Sequence, residues 1–563
     1  MSDKTRSEVE QIKENSNYLR GSLVQSLENR ITGALFPDDT NLIKFHGSYQ
    51  QTDRDLDRER KFQKLEPLYS FMIRVRVPAG VATAAQWLRM DQLADQYGNG
   101  TIKLTTRQAF QLHGVAKRHL KATIQGFNEV LLDSIAGCGD VNRNVMCSPN
   151  PEESAVHAAV WALSQEISRA FTPKTTAYAE IWLDGKRVDA EPDEEPIYGK
   201  TYLPRKFKIA LSVPPQNDTD IFSNDIGLIA IHENGVLQGF NVAAGGGLGM
   251  TFGMPETFPR LADMLGFVPT EQVVAVCEAI ITTQRDFGNR ENRKLSRLKY
   301  TVEKMGLEAF TSEVERRAGI QFAPAKPYQF THSGDEYGWK RLENGHFHLS
   351  LFIEGGRIAD FPDYPLKKAL GAVAQVHHGD FRLTGNQNLI IGNISAADRP
   401  AIQSILEEYG ILQYTYTQTA LRQNSIACVA LPTCSQAFAE AERYLPKLID
   451  QLDVLIRANG LEKSAITIRM TGCPNGCGRP YMSEIGLVGK SPGYYNLYLG
   501  GAHDGTRLNK LYREMLDEAG IIATLKPIFE SYSREIQPGE RFGDYVLRKG
   551  IVAATTHGTN FHA

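Results

Sequence analysis

Four stretches of this chain occur twice in the same order, and this internal repeat restricts the possible fold more than any other feature of the sequence. Residues 102–110 align with residues 381–389, and each stretch is preceded by a strand-like segment and a helical one. Three further pairs follow, namely 142–147 with 422–427, 226–230 with 485–489, and 240–247 with 495–501. Because the repeat is about half the chain long, the sequence predicts two similar halves related by a pseudo-two-fold axis, not a solenoid.

Apolar periodicity within each half predicts both helices and strands. Residues 155–171 carry apolar side chains at helical spacing, and so do residues 438–458, where Pro446 should introduce a kink. Residues 206–213 alternate between apolar positions and positions held by lysine or alanine, as a strand with one buried face does. We therefore predict an α+β protein whose sheets are built in repeated halves.

Four of the seven cysteines lie in two loop-like segments of the second half. Cys428 and Cys434 form a C-x5-C pair, and Cys473 and Cys477 form a C-x3-C pair after a gap of 38 residues. Zinc sites usually contain C-x2-C pairs, whereas an iron–sulfur cluster is larger and accepts wider spacings. The spacing favours a cluster and leaves open a zinc site or unconnected buried thiols. An odd and sparse set of cysteines argues against disulfides.

Basic side chains in the first half lie at alternate positions of predicted strands, so that each set projects from one face. The sets are Arg74 with Arg76, Lys103 with Thr105 and Arg107, and Lys206 with Lys208, while Arg143 stands between two asparagines. Most charges on strands face solvent, and the pattern alone favours that interpretation. A buried anion site would need several cations, because desolvating an anion costs several kcal/mol and one cation at contact returns about 4 kcal/mol.

Equivalent positions of the second half carry fewer charges. Arg107 corresponds to Asn386 and His113 to Gly392, and the lysine pair is replaced by residues 467–469, which lead into a cysteine loop. The residues thus predict a cationic pocket in one half and the cysteine-bound centre in the other.

Composition limits the partners and the compartment. A formal net charge of −3 argues against a nucleic-acid partner held by bulk charge. No apolar run approaches the roughly 18 residues of a membrane span, and the charged residues 1–20 do not predict a signal peptide. Free thiols and a cluster fit a reducing cytoplasm.

The cysteine pattern and five other motifs resemble those of one enzyme family. The cysteine-containing run is Thr-Gly-Cys-Pro-Asn-Gly-Cys-Gly-Arg at 471–479, and the others are residues 17–21, 45–51, 142–144, 203–208 and 283–286. Over nearly the whole chain they resemble the sirohaem sulfite and nitrite reductases, and within that family the haemoprotein (beta) subunits of NADPH-dependent sulfite reductases. The resemblance implies an N-terminal extension, an interleaved ferredoxin-like pseudo-dimer domain and two larger α/β lobes around the sirohaem. The boundaries expected are 1–69 for the extension, 70–135 with 340–415 for the central domain, and 136–339 and 416–563 for the lobes.

The resemblance also implies roles for individual residues. One 4Fe–4S cluster would be held by Cys428, Cys434, Cys473 and Cys477, and Cys477 would also be the axial ligand of the sirohaem iron. The residues implied to surround sulfite are Arg74, Arg143, Lys206 and Lys208. Those implied to contact the sirohaem are Lys103, Thr105, Arg107, Gln111, His113, Asn386, Gln387, Asn388 and Asn475. By itself, His113 would more often be a satisfied core histidine.

The activity implied is the six-electron reduction of sulfite to sulfide, in sulfate assimilation and cysteine biosynthesis. The glycine-rich run 245–249 does not open a helix after a strand, so no flavin or nucleotide site is predicted. Electrons would come from NADPH through a separate flavoprotein (alpha) subunit that carries FAD and FMN, in a hetero-oligomer, with residues 1–65 as the expected docking segment. The alternatives are an assimilatory nitrite reductase of the same architecture and a non-enzymatic, zinc-stapled scaffold.

Two features have no assigned role. The basic stretch 290–299 has helical spacing, which predicts a solvated face, and the alternatives are binding of haem carboxylates or of a partner. Cys277 is expected to be a buried small hydrophobe, and Cys138 and Cys147 have no partner signature.

Overall fold

The computed structural model describes residues 6–174, 182–183, 186–187 and 194–562. Its first half begins with helices and one strand, α1 (Glu8–Asn15), α2 (Leu23–Glu28), α3 (Asp39–Leu42), β1 (Ser48–Thr52) and α4 (Asp57–Phe62). The first copy of the central module consists of β2 (Tyr69–Val75), β3 (Val81–Thr83), α5 (Ala84–Tyr97), β4 (Ile102–Leu104), β5 (Phe110–Val115) and α6 (Leu120–Asn128). The first lobe contains α7 (Ala155–Ala170), β6 (Trp182–Leu183), β7 (Lys186–Arg187), β8 (Ile209–Ser212), β9 (Ile226–Glu233), β10 (Val236–Ala244), β11 (Asp263–Pro269), α8 (Val273–Phe287), α9 (Leu298–Met305) and α10 (Leu307–Ala318).

The second half repeats this order. Its central module contains β12 (Gly338–Arg341), β13 (Phe347–Leu351), β14 (Arg357–Ile358), β15 (Asp360–Phe361), β16 (Tyr364–Pro365), α11 (Leu366–Val376), β17 (Asp380–Leu383), β18 (Leu389–Ile394), α12 (Arg399–Glu408) and α13 (Ile411–Thr417). The second lobe contains α14 (Ala420–Gln423), β19 (Ser425–Ala427), α15 (Leu445–Ala458), β20 (Ile468–Thr471), β21 (Ile485–Ser491), β22 (Tyr494–Leu499), β23 (Lys510–Leu516), α16 (Glu518–Glu535) and α17 (Phe542–Arg548).

Two five-stranded sheets form the centre of the molecule, and each takes its last strand from the other half. Their strand orders are β1-β2-β5-β4-β14 and β12-β13-β18-β17-β3. Strand β14 of the second half pairs with β4, and β3 of the first half pairs with β17. The predicted repetition of the half-modules is therefore confirmed, and each half completes the central sheet of the other.

The exchanged strands are reached through equivalent tight turns. Ala79 and Gly80 precede β3 with φ angles of 57° and 76°, and Gly355 and Gly356 precede β14 with φ angles of 57° and 69°. Positive φ is readily available to glycine. Close packing is a second reason for glycine at this position, because a Cβ on Gly80 would lie 2.4 Å from the Leu383 carbonyl oxygen.

The two central modules share their apolar core. Trp87 in α5 stacks on Phe381 in β17 with ring centroids 4.6 Å apart, and it meets Phe110 edge-on at 5.9 Å. All three side chains are fully buried. Burial of such aromatic surface is a large stabilising contribution, and here it joins elements from both halves.

The lobes have matching sheets. The orders are β11-β10-β9-β8 and β19-β20-β21-β22-β23, with β8 parallel to β9 and β20 parallel to β21. In the first lobe, bridges of Asn142 to Phe207 and of Met146 to Ala210 place residues 142–146 where β19 lies in the second. These matches confirm the α+β duplication predicted from the repeats.

Two local predictions need correction. Helix α15 begins at Leu445, so Pro446 lies in its first turn, where proline is tolerated, and does not kink it. The alternation expected over 206–213 holds only at its start, because every residue of β8 is buried. No described helix is long and apolar enough to cross a membrane.

Candidate active site

A cavity of about 710 Å³ brings together residues of the N-terminal segment, both central modules and both lobes. This volume lies within the range of sites that hold cofactors or small ligands. Twelve residues of the sequence-predicted site line it, namely Arg74, Lys103, Thr105, Arg107, Gln111, His113, Arg143, Lys206, Lys208, Gln387, Asn475 and Cys477. The other three predicted cysteines, Cys428, Cys434 and Cys473, line it as well.

Positive charge dominates the wall of this cavity. Among its described lining residues are ten lysines and arginines and a single carboxylate, Asp140. The cations are Lys13, Lys44, Arg74, Lys103, Arg107, Arg143, Arg205, Lys206, Lys208 and Arg293. A buried anion must be compensated by several such charges, so the wall is suited to a polyanionic ligand.

Burial, followed by repulsion between neighbouring cations, lowers the pKa values of several cations in this wall. Burial lowers the pKa of Lys206 to about 7, and neighbouring arginines add to the effect while Cys477 opposes it. Burial, followed by Lys206, lowers the pKa of Lys208 well below its ordinary value. Burial likewise brings the pKa of Arg107 down to about 9. A bound anion would favour the protonated form of each group.

Hydrogen bonds to backbone carbonyl groups fix Arg143, and hydrogen bonds to two side chains fix Arg74. Arg143 donates from Nε to the Gly139 oxygen at 2.9 Å and from Nη1 to the Gly137 oxygen at 3.1 Å. Arg74 donates from Nη1 to Cys138 Sγ at 3.3 Å and from Nη2 to Gln111 Oε1 at 3.2 Å. Both guanidinium groups are therefore positioned before any ligand binds, which reduces the entropic cost of binding.

Strands β4 and β5, together with the turn between them, present a second row of polar side chains. Lys103 Nζ pairs with Glu442 Oε2 at 2.7 Å. Arg107 donates to Asn224 Oδ1 at 2.8 Å and to the Ile209 oxygen at 2.7 Å. Burial lowers the pKa of His113 to about 3, so its ring is neutral and has one N–H to donate.

The four thiols border one end of the cavity from two loops. One loop, between β19 and α15, carries Cys428 and Cys434, and the other follows β20 and carries Cys473 and Cys477. Gly472 lets the loops approach, because a Cβ there would lie 2.4 Å from the Ala439 oxygen.

Local contacts support a ligand larger than one ion. The Gly472 N–H donates to Cys428 Sγ at 3.4 Å, a contact of the kind that tunes cluster thiolates. Burial, followed by the nearby Cys477, raises the pKa of both Cys428 and Cys473. Among the described residues, no three His, Cys, Asp or Glu side chains are grouped closely enough to hold a single metal ion. Four thiols around a shared space fit a 4Fe–4S cluster, and the cationic wall beside them fits a carboxylate-rich tetrapyrrole.

Family models match more than half of the chain. The model described as "Nitrite and sulphite reductase 4Fe-4S domain" matches residues 164–322. The model described as "Nitrite/Sulfite reductase ferredoxin-like half domain" matches twice, over residues 63–130 and 340–409.

This chain belongs to the nitrite and sulfite reductase family.

Similar proteins cover the full length of this family member. It is 56% identical over 558 residues to the "Sulfite reductase (NADPH) hemoprotein beta-component" of Anoxybacillus flavithermus, covering 99% of this chain and 98% of the relative. Proteins of the same name from Geobacillus kaustophilus and Staphylococcus saprophyticus are 56% and 55% identical, with the same coverage. The word "component" in that name implies that those proteins act with a partner subunit.

The same fold occurs in a solved structure. The NirA protein of Mycobacterium tuberculosis superimposes with a TM-score of 0.77 over 96% of this chain and 95% of its own, at 24% identity. That similarity supports the fold of the family.

Two residues of the predicted site lie outside the cavity wall. Asn386 and Asn388 donate to Asp335, at 3.1 Å to Oδ1 and 2.7 Å to Oδ2 respectively. Gln387 does line the cavity and also accepts a hydrogen bond from the Ala427 N–H at 3.3 Å. Contact of Asn386 and Asn388 with a bound ring remains a prediction.

The structure corrects the interpretation of the basic stretch 290–299 as a solvated face. Arg293 lines the cavity and pairs with Asp140 at 2.8 Å, and Arg297 pairs with the fully buried Asp225 at 2.8 Å. Lys299 is buried as well and donates to the Gly249 oxygen at 2.6 Å. Only part of the helical pattern is therefore exposed, as at Lys294.

Several lining residues were not assigned roles from the sequence. Lys44, Tyr49, Gln51 and Arg205 all border the cavity. Three of them lie in the motifs 45–51 and 203–208, which signalled the family resemblance without individual roles. Of the other cysteines, Cys277 is buried in α8 as expected, Cys147 is buried, and Cys138 contacts Arg74.

A second cavity of about 220 Å³ occupies the equivalent place in the other half of the molecule. Thr384 lines this cavity, and its equivalent in the repeat, Thr105, lines the larger one. Asp218 also lines this cavity, and its equivalent, Cys477, lines the larger one. Its described wall includes four carboxylates, those of Glu153, Asp218, Asp335 and Glu336. Duplication therefore produced one cavity lined mainly by cations and one lined by four carboxyl groups and Lys340, and the four thiols border the first of these two.

Proposed function

We propose that this protein reduces sulfite to sulfide. One observation carries the proposal, namely that the four thiols and the ten cations border the same cavity. The relatives named as haemoprotein components of NADPH-dependent sulfite reductase support sulfite as the substrate.

The cofactors proposed are one 4Fe–4S cluster and one sirohaem. Cys428, Cys434, Cys473 and Cys477 would hold the cluster, and Cys477 would also ligate the haem iron. The ring carboxylates would be bound by the polar row of β4 and β5 and by the facing loops, that is by Lys103, Thr105, Arg107, Gln111, His113, Gln387 and Asn475. When bound, these groups supply single electrons to the substrate sulfur at low potential.

The protein's own task is to bind a dianion and to deliver protons. Arg74, Arg143, Lys206 and Lys208 would neutralise the sulfite oxygens. Each sulfite takes up six electrons and seven protons to give one hydrosulfide ion and three waters. A donor works best when its pKa lies near the operating pH, so Lys206, with a pKa of about 7, is the proposed proton donor.

The electron source proposed is NADPH, through a separate flavoprotein (alpha) subunit that carries FAD and FMN. The relatives' name, which contains both NADPH and the word "component", supports this assignment. The resulting hetero-oligomer would work in the cytoplasm, in sulfate assimilation and cysteine biosynthesis. Seven cysteines without a disulfide among those described fit a reducing compartment.

A purified, cofactor-loaded preparation tests the function. We expect a haem absorption band, acid-labile sulfide, and stoichiometric conversion of sulfite to sulfide with a low-potential artificial donor. The ratio of kcat/KM for sulfite to that for nitrite should exceed one. A colourless protein from cells supplied with iron and sirohaem precursors would refute the proposal, and a reversed ratio would make the protein a nitrite reductase.

A further inference from the structure

Asp220 and Arg479 occupy equivalent positions in the two copies of the repeat. Each lies six positions before the equivalent strands β9 and β21, which begin at Ile226 and Ile485. Each precedes a short 3-10 helix, and each has left-handed backbone angles, φ 47° and ψ 57° for Asp220 and φ 58° and ψ 43° for Arg479. Such angles are uncommon for residues other than glycine, and here they occur at the same place twice.

The two equivalent residues contact each other. Arg479 Nε lies 2.8 Å from Asp220 Oδ2, and both side chains are buried, with 7% and 2% of their surface exposed. Equivalent positions of two copies meet only on the axis that relates the copies. Identical charged residues would repel there, and this chain instead has opposite charges. Arg469 adds a second contact to Asp220, at 2.6 Å.

Arg479 also joins two equivalent turns of the central modules. Its Nη1 donates to the Thr106 oxygen at 3.4 Å and its Nη2 donates to the Gly385 oxygen at 2.6 Å. Thr106 and Gly385 correspond to each other in the repeat that aligns residues 102–110 with 381–389. One guanidinium group therefore connects the first lobe, the second lobe and both hairpin turns.

The same contacts hold the turn that carries Cys477. The Arg479 N–H donates to the Gly476 oxygen at 3.0 Å, which closes a turn around Cys477. Thr106 Oγ1 donates to the Cys477 oxygen at 3.1 Å. The backbone of Cys477 is thus held between Arg479 and the turn that Arg479 itself contacts.

We propose that Asp220 and Arg479 are positioning residues, whose ion pair on the pseudo-two-fold axis sets the orientation of Cys477 toward the haem iron. This inference rests on the proposed function, because it assigns to the pair the alignment of the shared ligand. Neither side chain lines the cavity, so both act through the turn and not by touching substrate.

Asp220→Asn tests the inference, because it keeps the shape of the side chain and removes its charge. In the cofactor-loaded variant we expect kcat for sulfite, per bound haem, to fall about tenfold with little change in KM. We also expect a changed electron paramagnetic signature of haem–cluster coupling, and faster hydrogen exchange at the amides of residues 476–479. Asp220→Glu, which retains the charge, should restore most of the signature.

Asp380→Asn is the matched control, since Asp380 pairs with the fully buried Arg382 in β17. It should lower the free energy of unfolding while leaving the coupling signature and kcat unchanged.

If Asp220→Asn fails to fold, Arg479→Lys replaces it, because lysine keeps the charge but cannot reach both turns. Wild-type signature and kcat per haem in the variant would overturn the inference, as would changes equal to those of the control. A wild-type protein without haem would instead refute the proposed function.

Discussion

At the scale of single residues, the site is defined by cations that are costly to bury. Lys206 and Lys208 lie on the segment leading into β8, within a wall that contains eight further cations and one carboxylate among its described residues. Their lowered pKa values show that burial and repulsion already act against their charge. A dianionic ligand would relieve that penalty, so binding and protonation of these lysines are coupled.

Lys206→Arg should lower kcat for sulfite, because arginine gives up a proton far less readily than lysine, and should move the alkaline limb of the kcat/KM profile to higher pH. In the wild type, Lys206 loses its proton as pH rises through about 7, so kcat/KM should fall above that value. An arginine at this position should keep its proton to a higher pH than the lysine does. Steady-state rates from pH 6 to 9 measure the limb. Sulfite itself also titrates in this range, but it does so equally for both proteins and cannot cause a difference between them. Lys294→Arg, at an exposed lysine, serves as the control. An identical limb in both proteins would exclude Lys206 as the titrating group.

Cys477→Ser should abolish coupling between haem and cluster and reduce sulfite turnover below detection. The serine oxygen is a poor substitute for a thiolate shared by two metals. Iron and acid-labile sulfide analysis, together with magnetic spectroscopy, measure the loss. Cys277→Ala provides the control, since that thiol is buried in α8, away from the cavity, and should leave the cluster intact. A fully coupled spectrum in Cys477→Ser would remove Cys477 from its proposed role.

Sequence reasoning found all four thiols and six of the ten cations of the wall, and it missed cations whose positions depend on tertiary contacts. Alternation along one strand was expected to place Lys103, Thr105 and Arg107 on one face. Only Lys103 lies in β4, and Thr105 and Arg107 reach the cavity from the turn between β4 and β5, so the strand interpretation was wrong for these two residues. Arg205 approaches the cavity from a loop and Lys44 from a single 3-10 turn, and neither segment is long enough to show a periodicity. The burial of Lys299 beneath the carbonyls of a distant loop was equally invisible, because its helical spacing is that of an exposed face.

At the scale of elements, the exchanged strands depend on two left-handed turns. Gly80 and Gly356 each have positive φ, and a Cβ at either would lie within 2.5 Å of a backbone oxygen of the neighbouring hairpin. The repeat itself was visible in the sequence. The exchange was implied only by the family resemblance, because β3 and β14 are too short to carry a pattern of their own.

Gly80→Ala should lower the free energy of unfolding by about 3 kcal/mol, because it combines backbone strain with a clash against the Leu383 oxygen. Gly345→Ala is matched for strain alone, since Gly345 has a φ of 84° and nothing within 4 Å of its Cβ position. Gly345→Ala should lower the free energy of unfolding by about 1 kcal/mol. Urea unfolding of both variants measures the difference. Equal losses would mean that the close approach at the turn contributes nothing.

At the scale of the whole molecule, Glu442 joins parts that are distant in sequence. Its Oε2 pairs with Lys103 of β4 at 2.7 Å, and its Oε1 pairs with Arg357 of β14 at 2.6 Å. Burial alone would raise its pKa, but Arg357 and Lys103 outweigh burial and lower it to about 2. The first copy, the second copy and the cysteine-bearing lobe meet at this one carboxylate.

Glu442→Gln should remove a component of acid sensitivity. A carboxyl group whose pKa is lowered in the folded state stabilises the fold at pH values above its ordinary pKa of 4.5. For Glu442 this contribution is about 3 kcal/mol, and it is lost as the pH falls to about 2. The variant should be less stable at pH 7 and should lose less stability between pH 5 and 3. Urea unfolding at these pH values checks this. Glu313→Gln is the control. Arg316 and Arg317 lower the pKa of Glu313 to about 2 as well, but this carboxylate lies at the protein surface, where solvent screening leaves little effect on stability. Parallel pH curves for wild type and Glu442→Gln would contradict the expectation.

Because the two halves exchange edge strands, this single polypeptide has the architecture of a strand-exchanged dimer whose subunits are covalently linked. Since β3 completes the sheet of one copy and β14 completes that of the other, the peptide bonds between the copies are not what keeps them together. A protease nick in the connection around residues 323–337 would sever the chain and leave two interlocked fragments. Neither fragment would possess a finished central sheet of its own, so a gene split at this point would encode two partners obliged to assemble.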